Sequence, residues 1–277
     1  MKILKFTKMD GAGNDFVVLD GIRQKVALTT EQISSLSDRR RGIGFDQLLV
    51  VDPPKSVDAD FFYRIYNADG SEAEQCGNGA RCLFLFIKNQ SLSTKEQIVV
   101  ETQNSRMQLH QSKHDQVMVD MGIPDFSPQE IPIKDNIQKT RYELNLGDET
   151  VEVGVVSMGN PHAVQLVEAV SKAPVTLQGP QIENHPFFPK GCNAGYMERT
   201  GNNDISLRVW ERGAGETLSC GSGACAAASV AILWNIVKSP VKVITKGGEL
   251  IIAWDGPKKN LQLTGPARQV FEGEILI

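Results

Sequence analysis

No stretch of this 277-residue chain is apolar for long enough to cross a bilayer. The most apolar one, Ala224 to Trp234, falls far short of the ~20 residues a spanning helix needs. The opening Met-Lys-Ile-Leu-Lys-Phe alternates charged and apolar residues where a secretory signal would carry an apolar core. Basic excess is also missing: 29 Lys and Arg against 33 Asp and Glu leave a net charge of −4, which argues against a broad nucleic-acid or anionic-membrane surface. A Gly-Lys-Ser/Thr phosphate loop does not occur. Gly11-Ala-Gly-Asn-Asp-Phe lacks the third glycine of a dinucleotide fingerprint. Cysteine is scarce and odd in number, at Cys76, Cys82, Cys192, Cys220 and Cys225, so reduced thiols are expected rather than a disulfide framework. Together these absences point to a soluble, cytoplasmic protein with neither nucleic acid nor membrane as a partner.

What is present is an internal repeat. Glu72-Ala-Glu-Gln-Cys-Gly-Asn-Gly-Ala-Arg-Cys82 returns as Glu216-Thr-Leu-Ser-Cys-Gly-Ser-Gly-Ala-Cys225. At a constant offset of 144, Arg64-Ile-Tyr-Asn67 lies over Arg208-Val-Trp-Glu211, Cys76 over Cys220 and Val99-Val100 over Val243-Ile244. At 146, Gly13-Asn14 meets Gly159-Asn160 and Gln47 meets Asn193. A repeat this long implies two similar α/β lobes with the cysteine loops facing across a cleft. The length suits two domains of ~100–200 residues, and 41% apolar residues suffice for sizeable cores.

The local pattern agrees. Lys2 to Asp20 reads as two strands around a polar turn, and Thr30 to Arg40 as a helix capped by Thr29 or Thr30. Strands follow at Leu48–Val51 and Asp60–Tyr66, then a helix from the Cys76 loop to about Asn89. Further strands are Gln97–Thr102, Met107–His110 and Val117–Met121. Prolines 124, 128 and 132 mark the passage to the second half. There the strands are Val151–Val156, Ala163–Val167, Asn193–Met197, Ile205–Glu211, Val241–Thr245 and Glu249–Trp254. Gly179-Pro-Gln-Ile-Glu-Asn-His-Pro reads as loop, and a helix runs from the Cys220 loop to about Val237.

Each Gly-x-Gly looks like a helix entrance, where unpaired N–H groups and the macrodipole favour negative charge. A thiol placed there should ionise more easily. Free cysteines are more often buried small hydrophobes, and that reading holds for Cys82 and Cys225 inside the helices and is favoured for Cys192. Cys76 and Cys220 stand between acidic residues and Gly-x-Gly, and their duplication argues for function. The spacings Cys76-x5-Cys82 and Cys220-x4-Cys225 also leave a non-enzymatic zinc module open, although structural zinc pairs are usually about two to four residues apart. Two thiols flanking one carbon do something a single one does not. One removes a proton from one face while the other returns a proton to the opposite face, which inverts a stereocentre. N–H groups at Gly77-Asn78 and Gly221-Ser222 are natural donors to the charge that develops.

Gly13-Asn-Asp-Phe16, Gly42-Ile-Gly-Phe-Asp-Gln47, Asn67-Ala-Asp-Gly-Ser, Cys76-Gly-Asn-Gly-Ala-Arg-Cys82, Gly159-Asn-Pro-His162, Asn193-Ala-Gly, Glu211-Arg-Gly-Ala-Gly-Glu-Thr and Cys220-Gly-Ser-Gly-Ala, in this order and spacing, resemble the diaminopimelate epimerase family almost end to end. The resemblance implies a cofactor-independent, metal-free epimerase interconverting LL- and meso-diaminopimelate in lysine and peptidoglycan precursor synthesis, commonly a homodimer. The implied fold is α/β (α+β). Two pseudo-symmetric lobes each wrap a mixed, mainly antiparallel sheet around a central helix, with the active site in the interlobe cleft. Residues 1–120 with a C-terminal strand at 266–277 would form one lobe and 121–265 the other. Cys76 and Cys220 would be the acid/base pair. Asn14, Gln47, Asn67, Asn160, Asn193, Glu211 and Arg212 would bind substrate, and Gly77, Asn78, Gly221 and Ser222 would hold its carboxylate. His162 and Glu211 would tune the thiols, whereas His110, His114 and His185 have no assigned role. A racemase of another amino acid, such as proline, is the alternative within this class. Asp10-Gly-Ala12 departs from the family's usual His-Gly-Leu, and Phe271 from a Tyr associated with dimer contact.

Overall fold

A computed structural model describes residues 3–73, 76–103, 105–112 and 116–277; Glu74 and Gln75 of the first cysteine motif and His114 lie outside the described residues. The chain divides into two compact units, Met1–Asp120 with Thr264–Ile277, and Met121–Leu263.

In the first unit β1 (Ile3–Gly11) and β2 (Asn14–Asp20) form a hairpin with Gly11 opposite Asn14. Its two turn residues, Ala12 and Gly13, have φ of 61° and 83°, the double left-handed geometry that matches strand twist in a two-residue hairpin. Asp10 Oδ1 accepts from Gly13 N–H at 2.8 Å and fixes the turn. Helix α1 (Thr30–Ser37) opens on a capping box: Gln32 N–H donates to the Thr29 hydroxyl while Thr29 N–H donates to the Gln32 side chain. It stops at Ser37, short of the expected Arg40. Next come β3 (Gln47–Asp52), β4 (Phe61–Asn67), α2 (Gly77–Asn89), β5 (Gln97–Glu101), β6 (Arg106–Gln111) and β7 (Gln116–Asp120). β2 runs parallel to β3, β3 antiparallel to β4, β4 parallel to β5, and β5, β6 and β7 are antiparallel in turn.

Phe16-Val-Val-Leu and Leu48-Leu-Val-Val are apolar without alternation because their strands are covered on both faces. Val17, Leu19, Leu48 and Val50 pack with Ile33 and Leu36 of α1. On the opposite face lies α2, ten of whose 13 residues are buried; it packs on β1, β2, β3, β6 and β7.

The second unit repeats the plan. It contains β8 (Tyr142–Asn145), β9 (Thr150–Ser157), β10 (Pro161–Leu166), α3 (Val175–Glu183), β11 (Asn193–Arg199), β12 (Asp204–Glu211), β13 (Gly215–Thr217), α4 (Gly221–Leu233), β14 (Val241–Thr245) and β15 (Gly248–Trp254). β16 (Leu261–Pro266) then leads the chain back to the first unit, where β17 (Arg268–Leu276) pairs antiparallel with β1. β10 runs parallel to β11, β11 antiparallel to β12 and β12 parallel to β14, the same order as β2, β3, β4 and β5. The register repeats to the residue: Phe16 pairs with Gln47, and His162 with Asn193, 146 positions on. Helix α4 takes the place of α2 and packs on β9, β10, β11, β12, β14 and β15. Its Ala224–Ala228 run lets strands approach on all sides.

Two sequence expectations fail here. Gly179 and Pro180, read as loop punctuation, lie inside α3. A side chain at 179 would come within 2.5 Å of the Trp210 ring, so the glycine serves close packing instead of a turn. Helix α4 ends at Leu233, not near Val237, with Asn235 in the left-handed region. Three short strands have no counterpart among the sequence expectations: β8 and β16, which alternate buried and exposed residues but are only four and six residues long, and the three-residue β13.

The repeated arginines anchor both sheets. Arg64 grips Asp52 at 2.5 and 3.1 Å, and Arg208 grips Glu216 at 2.7 and 2.9 Å. The Arg208 hydrogen bonds, reinforced by Lys246, hold the Glu216 carboxyl at about 2, below its ordinary 4.5. Stabilisation from such a depressed group is complete above the ordinary value and lost as pH falls toward 2. Glu216→Gln is expected to lower unfolding free energy at pH 6 by on the order of 2 kcal/mol, with the gap to the parent narrowing steadily below pH 4.5. Urea titrations at several pH values check this, and a gap independent of pH contradicts it.

Candidate active site

Each repeated cysteine is the N-cap of its unit's buried helix. The first intrahelical bonds, Ala80 N–H to Cys76 O (2.8 Å) and Ala224 N–H to Cys220 O (2.9 Å), leave three N–H groups in each first turn without a helical acceptor. The sulfur itself takes one of them: Gly79 N–H donates to Cys76 Sγ at 3.3 Å, and Gly223 N–H to Cys220 Sγ at 3.4 Å. Gly77 and Asn78 in one unit, and Gly221 and Ser222 in the other, lie directly beside a sulfur.

The glycines are sterically required. A Cβ at Gly79 would lie 2.4 Å from the Tyr63 hydroxyl and one at Gly223 3.0 Å from Val209. Tyr63 is itself 1% exposed, and its hydroxyl has no partner among the described residues.

The surroundings of the two sulfurs differ. Cys220 is 5% exposed and donates to Glu211 Oε2 at 3.0 Å, with Ser222 Oγ at 3.5 Å. Glu211 Oε1 is pinned by the Thr217 hydroxyl at 2.5 Å. Burial first, then the Glu211 charge and its hydrogen bond, push the Cys220 thiol well above its ordinary range, outweighing Ser222 and the Gly223 N–H. The helix-entrance N–H does favour the thiolate at Cys220, but burial and Glu211 outweigh it, so the net ease of ionisation expected from the sequence is not found. Cys76 is half-buried, and the Asn14 carbonyl Oδ1 lies 3.8 Å from its Sγ. The contrast has a sequence origin, because the repeat places Asn67 where the second unit has Glu211.

The other expected residues gather within their own units. In the first, Gln47 and Asn67 face each other across β3 and β4, and Gln47 Nε2 donates to Asn67 Oδ1 at 3.0 Å. Asn67 Nδ2 donates to Ser71 Oγ, and Gln47 Oε1 is buried without a partner among the described residues. In the second, Asn193 is committed to the backbone. It donates to Pro161 O at 3.0 Å and accepts from Arg212 N–H at 2.9 Å, so it shapes the loop carrying Arg212. The Arg212 guanidinium is exposed and donates to Lys190 O. His162 is 1% exposed, and burial, aided by the Arg212 charge, lowers its imidazole to about 3. The ring is neutral. Its Nε2 meets Asn160 Oδ1 at 3.0 Å and carries the hydrogen, which leaves Nδ1 a buried acceptor without a partner among the described residues.

Cys82, Cys192 and Cys225 are fully buried, as core cysteines should be. His110 and His185 stand apart, His110 on β6 and His185 bonded to Asn145 O. Sequence reading passed over Tyr63, Thr217 and Asp46. The last stands in the Gly42–Gln47 motif, where only Gln47 was singled out.

Solved structures share this architecture. A phenazine biosynthesis protein of the PhzF family from Bacillus anthracis superposes with a TM-score of 0.71 at 16% identity, covering 100% of both chains. A hydroxyproline epimerase from Agrobacterium vitis does so at 0.69 and 13%, covering 99% of this chain and 92% of that one. The fold is thus the mixed α/β fold of the proline racemase and PhzF proteins. The family model for Diaminopimelate epimerase matches residues 6–127 and 154–270. The diaminopimelate epimerases of Aromatoleum aromaticum and Nitrosomonas europaea are 53% and 51% identical over 272 residues, 98% of each chain. The chain belongs to the diaminopimelate epimerase family.

Gly79→Ala should destabilise the protein by about 1–3 kcal/mol by overpacking against Tyr63. Tyr63→Phe, which removes the obstructing oxygen, should recover most of that loss. Thermal melts of the two single variants and the double test the pair; additive losses would show that the hydroxyl is not the obstacle.

Proposed function

We propose that this protein inverts the α-carbon of LL-diaminopimelate to give the meso isomer, using Cys76 and Cys220 as the two acid/base groups and no cofactor or metal. The observation that carries this reading is the twofold occurrence of a cysteine sulfur seated at the entrance of a buried helix, one per repeat. In one direction the Cys76 thiolate takes the α-proton and the Cys220 thiol delivers its own to the opposite face. Reversal exchanges the roles, and atoms balance because each sulfur ends with what the other began with. The raised Cys220 thiol, held by Glu211, suits the donor part in the LL-to-meso direction.

Loss of the α-proton places charge on the carboxylate. The first-turn N–H groups at Gly77-Asn78 and Gly221-Ser222 supply donors for it, favoured by both helix N-termini. Neutral His162 and the pinned Glu211 set the thiols' surroundings. Asn14, Gln47, Asn67, Asn160 and Arg212 provide polar groups suited to the ammonium and carboxylate ends of a diamino dicarboxylate, and Asn193 serves them by holding the loop that carries Arg212. Supporting the choice of substrate are the names borne by relatives at about 50% identity over nearly the whole chain. The product belongs to lysine and peptidoglycan precursor synthesis, a cytoplasmic setting, and no helix among the described residues is long and apolar enough to cross a membrane. A homodimer completes the reading, supported by exposed Val270 and Phe271 on β17.

Cys76→Ala and Cys220→Ala should each lower epimerisation of LL-diaminopimelate by at least a thousandfold while leaving the circular dichroism spectrum and melting temperature near those of the parent. Either variant keeping most of its turnover removes that cysteine from the mechanism. Stoichiometric zinc in protein purified without chelator, with no turnover, would favour the zinc module, and turnover of proline alone would favour the racemase.

A further inference from the structure

Asn14 and Asn160 occupy equivalent places in the repeat, yet their amides are held by opposite ends. In the second unit His162 Nε2 engages the Asn160 carbonyl oxygen at 3.0 Å. In the first unit Asp46 Oδ2 accepts from Asn14 Nδ2 at 2.9 Å, and the carbonyl end is the one that meets Cys76 Sγ. A carboxylate only accepts, so it selects one of the two orientations an amide can take.

Asp46 is firmly mounted although its side chain is 44% exposed. Its Oδ1 accepts from Arg39 Nη2 at 2.8 Å, and its Oδ2 also takes Asp15 N–H at 3.1 Å. Its own N–H reaches Asp15 O and Oδ1, both at 3.0 Å. Arg39 grips Asp15 through two bonds of 2.9 and 2.7 Å, and Lys8, 8% exposed, closes the far side at 2.5 Å. This ion network joins the start of β2 to the loop before β3 and ends on a single amide.

We propose that Asp46 is a positioning residue that sets the polarity of the Asn14 amide, so that a carbonyl oxygen rather than an NH2 group faces Cys76. The consequence for catalysis rests on Cys76 being one of the two working thiols. A carbonyl accepts the S–H and disfavours the thiolate, whereas a turned amide would donate to the thiolate and favour it. Asp46 therefore helps Cys76 retain the proton it must deliver in the meso-to-LL direction. Among the described residues, titratable and charged groups at this end of the unit include Tyr63 on β4, Asp10 on β1 with Arg268 of β17 paired to it, and Arg81 and Cys82 on α2, with Lys8, Asp15 and Arg39 in the mount. Substitution at 46 alters none of them chemically.

The test is the pH dependence of Cys76 alkylation by iodoacetamide in the full-length protein, resolved by peptide mass spectrometry, for the parent, Asp46→Ala, Asn14→Ala and the double variant. Asp46→Ala should move the Cys76 midpoint down by about half a unit or more. In the Asn14→Ala background the same change should move it no further. Arg39→Ala, which leaves the Asp46–Asn14 bond in place, should lower the melting temperature without moving the midpoint, separating mounting from polarity. An equal shift with and without Asn14, or none in Asp46→Ala that still melts cooperatively, overturns the assignment. Turnover of the parent is scored separately, so a chain that alkylates as expected yet does not epimerise would refute the catalytic reading while sparing the positioning one.

Discussion

Everything at this site depends on a sulfur accepting a hydrogen bond from the first turn of a buried helix. The contact uses the cysteine where Ser, Thr, Asp or Asn would normally cap. It fixes the sulfur beside N–H groups that have no acceptor within the helix. The requirement explains the Gly-x-Gly that follows. The second glycine brings its N–H to the sulfur and leaves no room for a side chain, against Tyr63 in one unit and Val209 in the other. It also explains why the helices are buried nearly throughout, since the sheets that wrap them hold the entrances still.

The same cap is furnished in two ways. At Cys220 a carboxylate, itself held by Thr217, accepts the S–H and keeps the thiol protonated. At Cys76 a neutral amide carbonyl stands at longer range, its other end held by Asp46. Duplication supplied two equivalent sulfurs, and divergence at Asn67 and Glu211 made them chemically unequal. A reaction that removes a proton on one side and returns one on the other benefits from that inequality, because one group begins charged and the other neutral.

Much of this was readable in the chain. Offsets of 144 and 146 anticipated the strand registers because side chains that meet a common helix must recur at fixed spacing. Doubly covered strands showed as unbroken apolar runs. Loop signals misled at Gly179-Pro180, where the glycine serves Trp210 and the proline is tolerated in a short surface helix. The ionisation of Cys220 was misjudged because a helix entrance is a local feature, whereas its burial and its contact with Glu211 arise only on folding. Asp46 was overlooked for the same reason, as its partner Asn14 lies 32 residues away along the chain.

Inversion by this pair requires that the two capped sulfurs act on one carbon from opposite sides. The most direct measurement is turnover of LL-diaminopimelate in D2O, following isotope at the inverted and at the unreacted centre. Deuterium should enter the inverted α-position of the product, with substrate recovered early in the reaction still largely unlabelled, since a proton taken by one sulfur is replaced from the other. Product formed without deuterium, or label washed equally into recovered substrate and product, would show that a single group handles both proton transfers.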